Sequence, residues 1–517
     1  MRDDFKLGRF KKAPFGLDIV WLILPAAIVA MGMAFMPLRS WDYWWHLSFG
    51  RMINQTHEMP RFAYFLYTMP ADSPSYVQAW MSQWALFSLH ESLSLYGMII
   101  LRNGLAAGAF LILSLWAAKR SRSAIRGSIL ALTVLPFGFF IIALRSHLMA
   151  WPLIFIVLPI AFRVRTKGGS PWTLVAFPLV TMLWVNLHGT FLVPFLISLS
   201  FWADSFLHLF IRKKEFRKNI FIAFSFSTVS SLLAVLVNPR GVDAFLYLVN
   251  LRKKVVRLEM VSEWFPTTPF FPEFYGTLFW ILFVLSLFLF WRKRKEILFA
   301  DLILFVGFSF LAMLHCRALM WFFLIFPVVI SPYFSLPLIK ADEEEPSPFM
   351  SKVNVGIFLL LIISAIAVQP FFSFQREMIS KAQVMPVKTT GDMAGVIPMD
   401  FPDRWVEEIK KINPHARIFH DHRYAGYLIY ALQSATPQQT VFVDNRIELS
   451  SPQTWALLDE ISAGRRVEEL RRYDVTIVLV KKSSQAPLLA YLEKRSDWKK
   501  QGEDAFNALF VYNGKKE

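Results

Sequence analysis

About eleven long apolar runs constrain this chain more than any other feature it has. They lie near residues 17–37, 98–118, 124–144, 148–162, 171–187, 190–211, 219–237, 274–291, 299–314, 319–337 and 354–370. A run of about 20 apolar residues crosses a hydrocarbon core of about 30 Å as a helix, the form that satisfies every backbone polar group within the segment. A length of 517 residues would otherwise suggest two to four soluble domains, but 55% hydrophobic against 18% charged residues overrules that. The first run follows a basic leader, lacks a small-residue cleavage site and is about 20 residues long, so it reads as a retained first helix rather than a signal peptide.

The net charge of +17 does not point to nucleic acid, because the basic residues fall in short clusters between apolar runs. With the N-terminus in the cytoplasm, the connections on that side carry 23 Lys and Arg. Those on the other side carry 10 over a longer stretch. The positive-inside bias therefore predicts a cytoplasmic N-terminus and, for an odd number of helices, an extracytoplasmic C-terminus. The single cysteine, Cys316, excludes intramolecular disulfides and Cys-based zinc sites.

After Gln369 the pattern changes to proline, charge and shorter apolar runs. "ARIFH", "QTVFVDN", "VTIVLV" and "FNALFVYN" read as strands, and "SPQTWALLDEIS" and "RRVEELRRYD" as helices. The expected organisation is an all-α polytopic bundle over 1–370 with a first outer loop at 38–78, a connector at 371–399, and a soluble α/β domain at 400–517. That domain has enough apolar positions for a core of its own.

Against this topology the polar residues at the run ends fall on one side. Asp42 and His46, Arg145 and His147, Asn186 and His188, Asn238 and Arg240, Glu263, and His315 and Arg317 all fall on the same, outer side. Such groups are costly at membrane depth unless they pair or line a wet cavity, so their shared side argues for one shared site. Interfacial polar residues and a tryptophan belt would account for any one of these clusters alone. In "RSWDYWWHLSFG", a short helix would put Asp42 and His46 on one face at i and i+4, with Trp41, Trp44 and Trp45 seating it in the interface. Asp42 then suits a base or ligand, and His46 could orient it, donate a proton or bind a metal. The plainer reading is an anchor helix capped by Asp42. The basic run Arg252–Arg257 suits an anionic lipid or a solvated surface helix. Asp421, Asp444 and Arg446 lie at expected strand ends, where α/β domains place sites.

"DYWWHLSFGRMI", "VQAWMSQWALF", "WVNLHGTF", "NPRG", "SEWFP", "HCRALMWF", "AGYLIY" and "VFVDNRIE", in this order, resemble a widespread group of bacterial polytopic membrane proteins related to the GT-C glycosyltransferases. The resemblance covers nearly the whole chain. It implies a transferase that uses a polyprenyl-phosphate-linked sugar on the outer face of the cell membrane, with Asp42 at the position of the expected base. Tyr43 and Trp44 follow Asp42 where a second acid is common in that group, and Gln78 and Ala79 stand where His or acid is common. A divalent metal therefore stays open.

The chemistry fits the residues themselves. Glycosyl transfer needs a base for the acceptor hydroxyl and cations for the departing phosphate. Asp42, His46 and Glu263 are the candidate catalytic groups. Arg145, His147, Asn186, His188, Arg240, His315 and Arg317 are the candidate substrate-binding groups, the arginines as phosphate clamps. The expected partners are a lipid-linked sugar donor and membrane lipids. A flippase or transporter of lipid-linked saccharides would also need polar groups in a bundle, but places them near the midplane on broken helices. A non-catalytic membrane assembly protein is the third class.

Overall fold

The computed structural model describes residues 15–38, 40–75, 79–211, 216–247, 262–335, 347–370, 396–433 and 438–514. Gln78, the run Arg252–Arg257 and connector residues 371–395 lie outside them. The chain opens with α1 (Leu17–Ala34), α2 (Asp42–Thr56), α3 (Trp80–Ser121), α4 (Ala124–Thr133), α5 (Leu135–Ile141), α6 (Ile154–Lys167), α7 (Ala176–Leu187), α8 (Leu192–Phe210) and α9 (Lys218–Ala234). Helices at Glu273–Arg292, Phe299–Leu314, Leu319–Ile330 and Pro348–Ala367 complete the bundle.

Among the described residues, seven helical segments are long and apolar enough to cross a membrane, and the protein is a multi-pass membrane protein. The other four expected spans fold as shorter apolar helices of 10–17 residues: Ala124–Thr133, Pro171–Leu187, Phe299–Leu314 and Cys316–Ile330. Two of them shorten for a visible reason. The run at 124–144 splits at Val134, just ahead of Pro136, and the run at 319–337 stops at Ser331, before Pro332. Proline lacks the N–H a helix needs and disfavours helical geometry in the residue before it. The long α3 is two rods joined at Ser94, whose φ of 59° and ψ of 178° lie outside the helical region. The helical segment before Ser94 and the apolar run after it are thereby separate.

The ends of the bundle away from α2 hold more than solvated lysine and arginine. Arg120 forms a two-point ion pair with Asp301 at 2.9 and 2.7 Å, and the Tyr333 hydroxyl donates to the same carboxylate at 2.7 Å. Arg165 pairs with buried Asp204, which also accepts the Ala300 N–H at 3.0 Å. Each buried charge has a partner, the condition under which such a group is tolerated in an apolar interior. Polar clusters thus occur at both ends, although the sequence suggested a mixture of acid, amide and histidine on one side only.

The tail is a four-stranded sheet with flanking helices, strand order β1-β2-β4-β3. β1 (Arg417–His420) pairs parallel with β2 (Val475–Lys481), which pairs antiparallel with β4 (Asn507–Tyr512), and β4 with β3 (Trp498–Glu503). "QTVFVDN" forms no strand. Val441 only bridges Leu66 on one side and Ile418 on the other.

Strand alternation divides the sheet between two cores. Phe419, Val478, Val480, Ala508 and Phe510 face a core with Trp455, Leu458 and Leu488, while Ile418, Ile477, Leu479 and Leu509 belong to the core shared with the membrane part. The segment after α2 is stitched to the tail as well: Thr440 and Val441 donate to the Phe65 carbonyl at 2.9 and 3.0 Å, and the Tyr67 N–H to Val441 at 3.2 Å. Only one face of the sheet therefore has a core of the tail's own.

Candidate active site between the bundle and the tail

α2 lies between the bundle and the tail, and the tryptophans at its start pack against the tail. The spacing of Tyr424, Tyr427 and Tyr430 puts three rings on one face of the helical stretch ending at Leu432. Buried Trp44 packs edge-on against Tyr427 at 4.9 Å and tilted against Tyr430 at 5.2 Å, and Trp41 stacks on Phe401 at 5.6 Å. The aromatic residues dock the tail because an apolar partner is available there. Gly426 is required by this contact: a Cβ there would sit 2.6 Å from the Trp41 carbonyl oxygen.

Docking fixes the third tryptophan, and through it Asp42. Trp45 Nε1 donates to Asp42 Oδ1 at 3.3 Å, while its ring lies 3.8 Å from that of His46. His46 is turned toward Gln83, Nδ1 to Nε2 at 3.4 Å, rather than toward Asp42. Burial, then the nearby Arg145, His147 and Arg446, push its pKa down to about 3, so the ring is neutral at physiological pH.

Four separate parts of the chain meet beside Asp42. Arg145, on the short turn before α6, contacts Asp42 Oδ2 through Nε at 3.5 Å and Glu263 Oε1 through Nη1 at 2.7 Å, with Nε also donating to Ser40 Oγ at 3.2 Å. Arg317 approaches the other Glu263 oxygen at 3.7 Å and places Nη2 3.4 Å from His188 Nε2. His188 Nδ1 lies 2.8 Å from Thr190 Oγ1, and its ring centroid is 5.9 Å from that of His147. Burial alone would raise the Glu263 pKa, but Arg145 and Arg317 outweigh it and hold the carboxyl at about 2. Glu263 is therefore a fixed anion. Asp42, held by longer contacts at 3.3 and 3.5 Å, is the carboxylate less committed to arginine.

The remaining expected residues form an adjoining seam. Asn186 Oδ1 accepts from Trp80 Nε1 at 2.7 Å and from Asn238 Nδ2 at 3.2 Å. Arg240 Nη2 donates to the Ser75 carbonyl at 2.8 Å, and Arg446 from the tail donates to Ser75 Oγ at 2.8 Å. Arg446 is itself paired with Asp444 and sits over the Phe49 ring at 4.7 Å. His315 Nδ1 lies 3.1 Å from the Trp264 carbonyl and so supports the Glu263 turn. Asp421, the other tail candidate, is paired with Arg423 at 2.8 Å away from this seam. Ser40, Ser75, Gln83 and Thr190 join the network without having stood out in the sequence, where a lone hydroxyl or amide carries no pattern.

The donor set does not suit a divalent metal. Both carboxylates contact guanidinium groups, and among the described residues no group of three or more His, Cys, Asp or Glu is placed to hold an ion.

No protein-family model matches the chain, and no curated protein sequence does. Solved structures do match it in fold. The oligosaccharyltransferase of Archaeoglobus fulgidus in its apo form aligns with a TM-score of 0.50 over 95% of this chain and 74% of that one, at 12% identity. The same figures hold for archaeal oligosaccharyltransferase AglB from that organism in complex with an inhibitory peptide and a dolichol-phosphate. The chain shares the fold of these archaeal oligosaccharyltransferase structures. At 12% identity the likeness is one of architecture, and it extends over nearly the whole length of this chain.

Proposed function

We propose that this protein is a membrane glycosyltransferase that moves a sugar from a polyprenyl-phosphate-linked donor to an acceptor on the outer face of the cell membrane. The observation that carries the reading is the meeting of Asp42, Arg145, Glu263, Arg317 and His188 at one place, drawn from distant parts of the chain. A GT-C fold around that meeting point supports it. So does the dolichol-phosphate in one of the structures of similar fold, which favours a polyprenyl-phosphate donor.

In this reading all eleven apolar helices cross, residues 1–370 form the membrane part, 371–399 connect, and 400–517 form an extracytoplasmic domain above the site. The Asp42 carboxylate takes the proton of the acceptor hydroxyl. The acceptor oxygen bonds to the anomeric carbon, and the bond from that carbon to the phosphate oxygen breaks, its electron pair leaving with the phosphate. Arg145 and Arg317, aligned by Glu263, neutralise the charge that develops there. His147 and His188 line the donor side, and Asn186, Arg240 and His315 hold the surrounding backbone.

The test is donor capture by purified protein in lipid. Arg317→Ala should raise KM for the lipid-linked donor about 10- to 100-fold, the loss expected for one charged hydrogen bond, with a smaller change in kcat. An unchanged KM would remove Arg317 from the donor site.

A further inference from the structure

We propose that Arg145 is the resident cation of this site, its guanidinium holding the ground between Asp42 and Glu263 that a divalent metal would need. The inference deepens the transferase reading and gives it a chemical condition: the departing phosphate is met by a guanidinium group, and turnover needs no added metal.

Three observations carry it. The first is geometric, because a single side chain contacts both carboxylates, Glu263 Oε1 at 2.7 Å and Asp42 Oδ2 at 3.5 Å, and is steadied by Ser40 Oγ at 3.2 Å. The second is charge. Arg317 lies 3.7 Å from the remaining Glu263 oxygen, so two carboxylates already face two guanidinium groups. A divalent ion placed on those carboxylates would stand close to Arg145 and be repelled by it at short range. The third is the state of the imidazoles. A histidine ligates through one nitrogen, and His188 has both occupied, Nδ1 at 2.8 Å from Thr190 Oγ1 and Nε2 at 3.4 Å from Arg317, while His46 is turned toward Gln83 rather than toward Asp42.

A guanidinium in this position has a functional merit of its own. It stays protonated at every physiological pH, and its planar fork offers two parallel donors to a phosphate oxygen pair. Glu263 would keep that fork aimed while the donor is absent. A metal would need carboxylate oxygens free to coordinate it, and both oxygens of Glu263 face arginine.

The experiment is Mn²⁺ binding followed by electron paramagnetic resonance on full-length protein in nanodiscs. It needs no turnover, so a failure of the transferase reading leaves its outcome intact. The parent should bind Mn²⁺ no better than the double variant Asp42→Asn, Glu263→Gln, in which the carboxylates are neutral. Arg145→Gln should gain one Mn²⁺ with affinity at least about tenfold above the parent, and Arg145→Lys, which keeps the positive charge, should stay at the parent level. A parent that binds one equivalent of Mn²⁺ lost in the double variant overturns the proposal. So does a folded Arg145→Gln protein that gains no Mn²⁺. Because the comparison of parent with double variant stands alone, a poorly folded Arg145 variant does not shield the idea.

Discussion

Asp42→Asn is expected to reduce glycosyl transfer by about 10²- to 10⁴-fold, the usual contribution of a general base, while leaving folding and membrane insertion intact. Asparagine keeps the shape and can still accept the Trp45 N–H through its carbonyl oxygen. It loses only proton affinity and the attraction of Arg145, whose contact with Asp42 is the longer of its two carboxylate contacts. The measurement is turnover in lipid compared with thermal unfolding of the same preparations. Parental turnover in Asp42→Asn would move the base elsewhere. Glu263 is a poor substitute, since the arginines hold its carboxyl at about 2 and leave it little appetite for a proton near neutral pH.

The second large effect is on the seating of the tail. Trp44 is buried among Tyr427, Tyr430 and Phe401, at ring separations of 4.9, 5.2 and 5.7 Å. Truncating a buried tryptophan typically costs about 3–5 kcal/mol. Because these partners belong to the tail, Trp44→Ala should release the tail from α2 more than it disturbs the bundle. Hydrogen exchange at the amides of Ala425–Leu432 should accelerate by about 10²- to 10⁴-fold, the equivalent of that loss, while α1 stays protected. Equal acceleration in α1, or none in the tail helix, would mean that the two parts do not meet as described. Activity should fall with undocking, because Trp45 and Arg446 reach the site from the same junction.

Much of this arrangement was legible because membranes penalise polar groups so heavily. Arg145, His188 and Arg317 end or interrupt apolar runs and Asp42 follows closely on one, and the cost of placing such groups there marks them in the sequence itself, whereas Glu263 lies in the loop before the run at 274–291 and carries no such mark. The bundle and tail were visible for a similar reason, since long apolar runs and short alternating ones follow different periods. Other features carry no such mark. β3, with the sequence "WKKQGE", has a charged, half-exposed pattern typical of an edge strand and reads as loop. Val441 looks like part of a strand, yet its neighbours Leu66 and Ile418 each give it only an isolated bridge. The tryptophans of "WDYWWH" suit a membrane interface equally well, and nothing local says that three tyrosines almost 400 residues away will cover two of them. Asp204 and Asp301 stood in plain view within apolar runs. Their partners Arg165 and Arg120 lie in other helices, so the pairing is a property of packing alone.

Transfer measured in membrane vesicles of defined sidedness tests the central claim most directly. A panel of short-chain polyprenyl-phosphate sugars and acceptors is added from outside to right-side-out and to inverted vesicles, each carrying the parent or Asp42→Asn. The account predicts glycosylated product in right-side-out vesicles with the parent, little with Asp42→Asn, and none in inverted vesicles. Product confined to inverted vesicles, or no product from folded parent protein on either side across the panel, would contradict it.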